Sequence, residues 1–169
     1  MITDNNEVIF NTEDIFVLDE QLISYLKERA QNNERKTGRI CIHKSADEQL
    51  HQMIIVHCKG NYVRPHRHPL KTESFHLIQG SLLLGIFDES GKLIDRIVLE
   101  ESGDKYTLVA RIEKDIYHTV VPLTDVVVFH EITNGPFTGL GDSEFPEWAP
   151  EPGDKEGIID FLQSSGISY

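Results

Sequence analysis

His66 and His68 stand two residues apart, and Glu73 follows five residues later, the densest group of chemistry-bearing side chains in the chain. In an extended strand alternate side chains share a face, so the two imidazoles point the same way. Two imidazoles and a returning carboxylate make three legs of a metal site. That donor set suits one divalent transition metal such as Fe, Zn, Mn, Ni or Cu.

Strand parity extends the reading to the neighbours. With His66 and His68 inward, Tyr62 and Arg64 also face inward, and Val63 and Arg67 face outward. With Glu73 inward, so are Lys71, Phe75 and Leu77, while His76 faces out. Arg64 and Lys71 beside a metal offer an anchor for a carboxylate or phosphate. The competing reading pairs Arg64 with an acidic residue at the mouth of the site, since the chain has 28 of them. Upstream, Arg39, Cys41 and His43 share a face opposite Ile40 and Ile42. Either the isoleucines are the buried face and His43 is exposed, or that face lines the cavity and His43 contacts substrate. His51 and His57 read as structural or exposed, and Lys71, Tyr62 and His43 are candidate general acid–base groups.

The elements that position these residues are mostly strands. Asp19 can cap a helix with Leu22, Ile23, Leu26 and Ala30 on its apolar face, ended by the polar run to Lys36 and Gly38. Strands are then expected at 39–43, 53–59, 62–68, 73–79, 106–111, 117–121 and 126–132, with a hairpin of 81–88 and 92–99 about Asp88-Glu89-Ser90-Gly91. About nine short strands without intervening helices indicate an all-β sandwich or barrel and exclude a parallel α/β fold. Residues 1–37 read as an N-terminal arm and helix, 38–133 as the barrel, and 134–169 as a Pro/Gly-rich tail packed along it. Within that tail Ile158, Ile159, Phe161 and Leu162 suggest a short helix.

A chain of 169 residues with 39% hydrophobic content is one globular domain. The net charge of -12 argues against nucleic acid and against an anionic membrane surface. No apolar run is long enough to span a bilayer, and residues 1–7 carry no basic or apolar block of a secretory signal, so the expected compartment is the cytoplasm. Cys41 and Cys58 read as small buried side chains, neither disulfide-bonded nor metal-ligating.

The full spacing from Gly60 to Gly80, Gly-x5-His-x-His-x4-Glu-x6-Gly, is the first motif of the cupins, matched at all five fixed positions. The second cupin motif, Gly-x5-Pro-x-Gly-x2-His-x3-Asn, survives in Gly103 to Pro122 mainly as His118. Glu113 and Asp115 stand for its Pro and Gly, and Pro122 for its Asn. His118 is thereby the expected fourth ligand, and His130 on the next strand is its rival. Four protein ligands would close a tetrahedral structural zinc, whereas an octahedral Fe, Mn or Ni would keep two open positions.

The chain more particularly resembles the WbuC-type cupin metalloproteins. The matching stretches are Arg39 to His43, Leu50 to Met53, Tyr62 to Pro69 with Lys71 and Glu73, Gln79-Gly80, Phe87-Asp88, Tyr117 to Thr119, Gly135 to Phe137 and Trp148 to Pro150. The resemblance implies a small double-stranded β-helix, a jelly-roll barrel, whose single metal is held by His66, His68, Glu73 and His118. It also implies a link to surface-polysaccharide (O-antigen) gene clusters. Three roles follow as expectations. The first is a metal-dependent dioxygenase or sugar isomerase/epimerase acting on a small anionic or polyhydroxylated molecule. The second is a non-catalytic binding or sensing protein, and the third is an interaction protein with a structural metal. A homodimer is expected, with residues 7–18 contributing a contact.

Overall fold

The computed structural model describes residues 2–3, 8–102 and 105–167. Gly103, at the start of the second-motif region, and most of residues 1–7, where no secretory signal was expected, lie outside the described residues.

Two sheets face each other. The larger has seven strands in the order β1 (Ile2–Thr3), β2 (Val8–Phe10), β3 (Thr37–Cys41), β4 (Leu50–Cys58), β11 (Val126–Asn134), β5 (Glu73–Gln79) and β9 (Val109–Ile112). The smaller has four, in the order β10 (Tyr117–Pro122), β6 (Leu82–Phe87), β7 (Leu93–Ser102) and β8 (Lys105–Thr107). The pairings are antiparallel except for β2 against β3. The expected strand at 106–111 is divided: β8 stays with β7, and β9 crosses to pair with β5.

Strand parity sorts the apolar residues into three cores. Between the sheets lie Ile55, Phe75, Leu82, Leu84, Leu99, Ile112, Val120, Val127 and Phe129. Their alternates Ile40, Ile54, Val56 and Val128 face the other way and meet α1 (Glu20–Gln31) through its Leu26 and Ala30. On the far face of the smaller sheet, Leu83, Phe87, Tyr117 and Val121 are covered by Leu162 of α2 (Lys155–Ser164) and by Ile167. Central strands are thus buried on both faces, which is why they read as continuous apolar runs. Asp19 caps α1 by accepting from the Leu22 amide at 2.8 Å, and Asp154 caps α2 by accepting from the Gly157 amide at 2.9 Å. Trp148 holds the tail down, 5.3 Å from the Phe87 ring and 5.9 Å from Phe161.

Residues 62–68 do not form the expected strand. Only His66 and Arg67 are bridged, the first to His118 and the second to Glu144. The chain reaches this segment through Gly60 and leaves β5 through Gly80, both left-handed (φ 86° and 88°). At Gly80 a Cβ would also sit 2.5 Å from Thr124 Oγ1. Both motif glycines are therefore required by backbone conformation. Cys41 and Cys58 are buried free thiols. No helix among the described residues is long and apolar enough to cross a membrane.

Candidate metal centre and its cavity

The bridge between His66 and His118 is a reciprocal pair of backbone hydrogen bonds, His66 N to His118 O at 3.0 Å and His118 N to His66 O at 2.8 Å. It locks the first motif to β10 and places the two imidazoles side by side, 4.7 Å between centroids. Glu73 opens β5 and points at the His118 and His68 rings. Its Oε2 lies 3.0 Å from His118 Nε2, and its Oε1 lies 3.0 Å from His68 Nε2. One donor atom from each of His66, His68, Glu73 and His118 lies within 4.8 Å of every other. His130, the rival, is on the opposite face of the larger sheet beside His76 (5.5 Å) and outside this group.

Each histidine is held through its other nitrogen. Nδ1 of His66 faces the Arg64 carbonyl at 2.9 Å, that of His68 the Asp142 carbonyl at 2.6 Å, and that of His118 the Ile116 carbonyl at 2.9 Å. A carbonyl only accepts, so Nδ1 carries the proton and Nε2 presents its lone pair to the centre. Buried His68 Nε2 has no hydrogen-bond partner despite its closeness to Glu73. Three converging lone pairs, that of His68 Nε2 among them, and one carboxylate fit a divalent transition metal.

The four groups are electrostatically coupled. Burial, then the neighbouring His118, lowers the His66 pKa to about 4, so it stays neutral at neutral pH. Burial works against a charged His68, and the Glu73 carboxylate outweighs it, raising that pKa. Burial likewise opposes ionised Glu73, yet His118 and His68 hold its carboxyl below the usual range.

A cavity of about 520 Å³ opens beside the cluster. Lys71 and His43 line it, while Tyr62 and Arg64 do not. The Tyr62 hydroxyl donates to the Pro150 carbonyl at 2.9 Å. Arg64 pairs with Glu151 at 2.7 Å and lies over the Phe145 ring at 5.0 Å. Val63, expected outward, faces the cavity instead. The parity expectation for Tyr62, Val63 and Arg64 is reversed because 62–65 is irregular chain, across which a two-residue period does not propagate. Lys71 Nζ is bound by Asp142 Oδ2 at 2.6 Å and the Pro136 carbonyl at 2.8 Å, so it is already partnered. Asp142, whose own backbone orients His68, thus ties Lys71 to the metal cluster.

His43 is buried and stacked on His51 at 4.0 Å, and burial followed by His51 lowers its pKa. His51 and His57, expected to be structural or exposed, are both buried in the cavity wall. Glu131 joins them, its carboxyl pushed above the usual range by burial and by the charge of Glu73. Sequence reasoning missed Glu131. Its signal was present in parity with Phe129 and Thr133 on β11, but it needed the register of Thr133 against Glu73 to be read. Asp142 lies beyond the barrel and had no such signal.

These observations define the class: a two-sheet β-barrel of cupin-like fold carrying a three-histidine, one-glutamate group able to hold a metal. Residues 18–99 match a domain of unknown function, DUF6016. No curated protein matches the sequence. Among solved structures, protein SO0799 of Shewanella oneidensis is similar over 76% of this chain and 82% of its own, at 12% identity and a TM-score of 0.55. The capsular polysaccharide assembling protein CapF of Staphylococcus aureus is similar over 68% of this chain, at 22% identity and a TM-score of 0.53. The match covers 30% of CapF, so this chain corresponds to about a third of that protein.

Proposed function

We propose that this protein is a metal-dependent enzyme that acts on a small anionic or sugar-like molecule, with His66, His68, Glu73 and His118 holding one divalent transition metal. The observation that carries the reading is convergence: four donor atoms within 4.8 Å at the edge of an open cavity of about 520 Å³. A purely structural metal does not call for a cavity of substrate size beside it. A divalent metal held there supplies Lewis acidity or oxygen activation. The chain's own residues do the rest. The backbone carbonyls of Arg64, Asp142 and Ile116 keep the three imidazoles in one tautomer. Phe75 and Val63 furnish apolar wall, and His43 and Glu131 are the cavity groups suited to proton transfer. This turns the general acid–base role away from Tyr62, whose hydroxyl is occupied outside the cavity.

The substrate class within this reading, including a link to surface polysaccharide, rests on the WbuC-type resemblance. The likeness to CapF speaks for fold alone at its identity. A homodimer to which residues 7–18 contribute a contact belongs to the same proposal, and sedimentation tests it.

Metal analysis of purified and reconstituted protein should find about one transition metal per chain, lost in His66→Ala. Absence of metal from both preparations overturns the reading. Oxygen uptake and product analysis with sugars, sugar phosphates and sugar acids then separate dioxygenase from isomerase or epimerase. Metal-dependent binding without turnover would instead assign a non-catalytic binding or sensing protein.

A further inference from the structure

The cations first expected to anchor an anion are both engaged, Arg64 by Glu151 and Lys71 by Asp142. Arg39 is different. It lines the cavity from β3, and among the described residues its side chain makes no hydrogen bond or ion pair. The cavity's carboxylates make no ion pair with it: Glu73 is turned to His68 and His118, Asp142 holds Lys71, and Glu131, whose carboxyl feels the Arg39 charge, is held above the usual range by burial and by Glu73. A guanidinium facing a recess without a counter-ion is a binding group for an anion.

A second orphan lies beside it. His57 is only 6% exposed, and its buried Nδ1 has no hydrogen-bond partner. Its ring is fixed edge-on to Phe129 at 5.2 Å. Register places Thr37 opposite His57 and Arg39 opposite Ile55, so Thr37, Arg39 and His57 occupy one corner of the inner face. The metal cluster occupies another. Glu73 is on β5, three strands away, in register with Thr133 and through it with His51.

We propose that Arg39 and His57, with Thr37, form a second subsite that binds the carboxylate of a polyhydroxylated acid, the rest of which extends toward the metal centre. The chemistry selects this class. One unpartnered guanidinium matches one negative charge, whereas a phosphate monoester brings close to two. A neutral imidazole nitrogen exchanges a hydrogen bond with a hydroxyl, which both donates and accepts. Burial, then Arg39 and Arg35, lowers the His57 pKa to about 3, so the ring stays neutral beside the guanidinium. The extension toward the metal rests on the function proposed above; the subsite does not.

The test is calorimetric titration of gluconate, glucuronate and glycerate into metal-loaded protein, with glucose and glucose 6-phosphate as comparisons and metal content measured in parallel. Arg39→Gln should weaken carboxylate binding at least about tenfold at unchanged metal stoichiometry. Arg39→Lys should recover part of it, and His57→Phe should weaken the polyhydroxylated acids. Should Arg39→Gln not fold, the Lys and Phe variants carry the comparison. The proposal is overturned if none of the three acids binds wild type, if Arg39→Gln binds them equally, or if glucose 6-phosphate binds more tightly than gluconate. If wild type takes up no metal, the metal reading fails alone, and Arg39-dependent gluconate binding to the metal-free protein still decides the subsite.

Discussion

Histidine pairs lie against both faces of the larger sheet, and only one of them looks like a metal centre. His66 and His68 are 4.8 Å apart on the inner side, and His76 and His130 are 5.5 Å apart on the outer side. Proximity barely distinguishes them. The inner pair is joined by a third imidazole, His118, with a carboxylate between His68 and His118, and each of the three rings has an Nδ1 anchor. Among the described residues the outer pair has no carboxylate grouped with it. Burial and the charge of His76 lower the His130 pKa. Imidazoles brought together by sheet register alone are neighbours; a carboxylate and fixed tautomers turn them into a donor set.

The sharpest way to break this contrast is Glu73→Ala. Metal uptake measured by elemental analysis should be abolished, whereas His130→Ala should leave it intact. Equal metal content in the two variants would erase the distinction between the faces. Lys71→Met should have the next largest effect. It leaves Asp142 buried without its cation, costing about 3 kcal/mol in denaturant unfolding. Because Asp142 orients His68, metal affinity should also fall about 10-fold or more.

His57 supplies a pH test of the inner face. Burial lowers its folded-state pKa to about 3 from an ordinary 6.5. Between those values the unfolded chain binds a proton that the folded protein does not, so stability is lost as pH falls from about 6.5 toward 3. His57→Phe should therefore reduce the stability difference between about pH 7 and pH 4.5 by on the order of 2 kcal/mol, read from urea unfolding at both values. The smallest effect belongs to the outer pair. His76→Ala should shift stability by less than about 0.5 kcal/mol and leave metal binding unchanged.

Much of the barrel was legible from residue patterns. The Asp19 cap, the 81–99 hairpin and the alternating strands appear where expected, since cap chemistry and two-residue periodicity are local properties. The segment 62–68 was not. Its residue types suggest a strand, but its hydrogen bonds go to Glu144 and His118, partners distant in sequence. Parity therefore failed for Tyr62, Val63 and Arg64. The tail was legible as a packed segment with a short helix, which is α2. That it neutralises Arg64 through Glu151 and orients His68 through Asp142 depends on contacts made more than seventy residues apart.

The sequence by itself determined the metal-ligand types, their spacing between two left-handed glycines, and the alternation that makes a barrel. These follow from residue chemistry and backbone geometry within short windows. Only the tertiary structure decided which cations remain available. Pairing consumed Arg64 and Lys71, and sheet register placed Arg39, His57 and Glu131 around one recess. Charge availability and cavity lining are set by neighbours in space, and the chain order does not encode them locally.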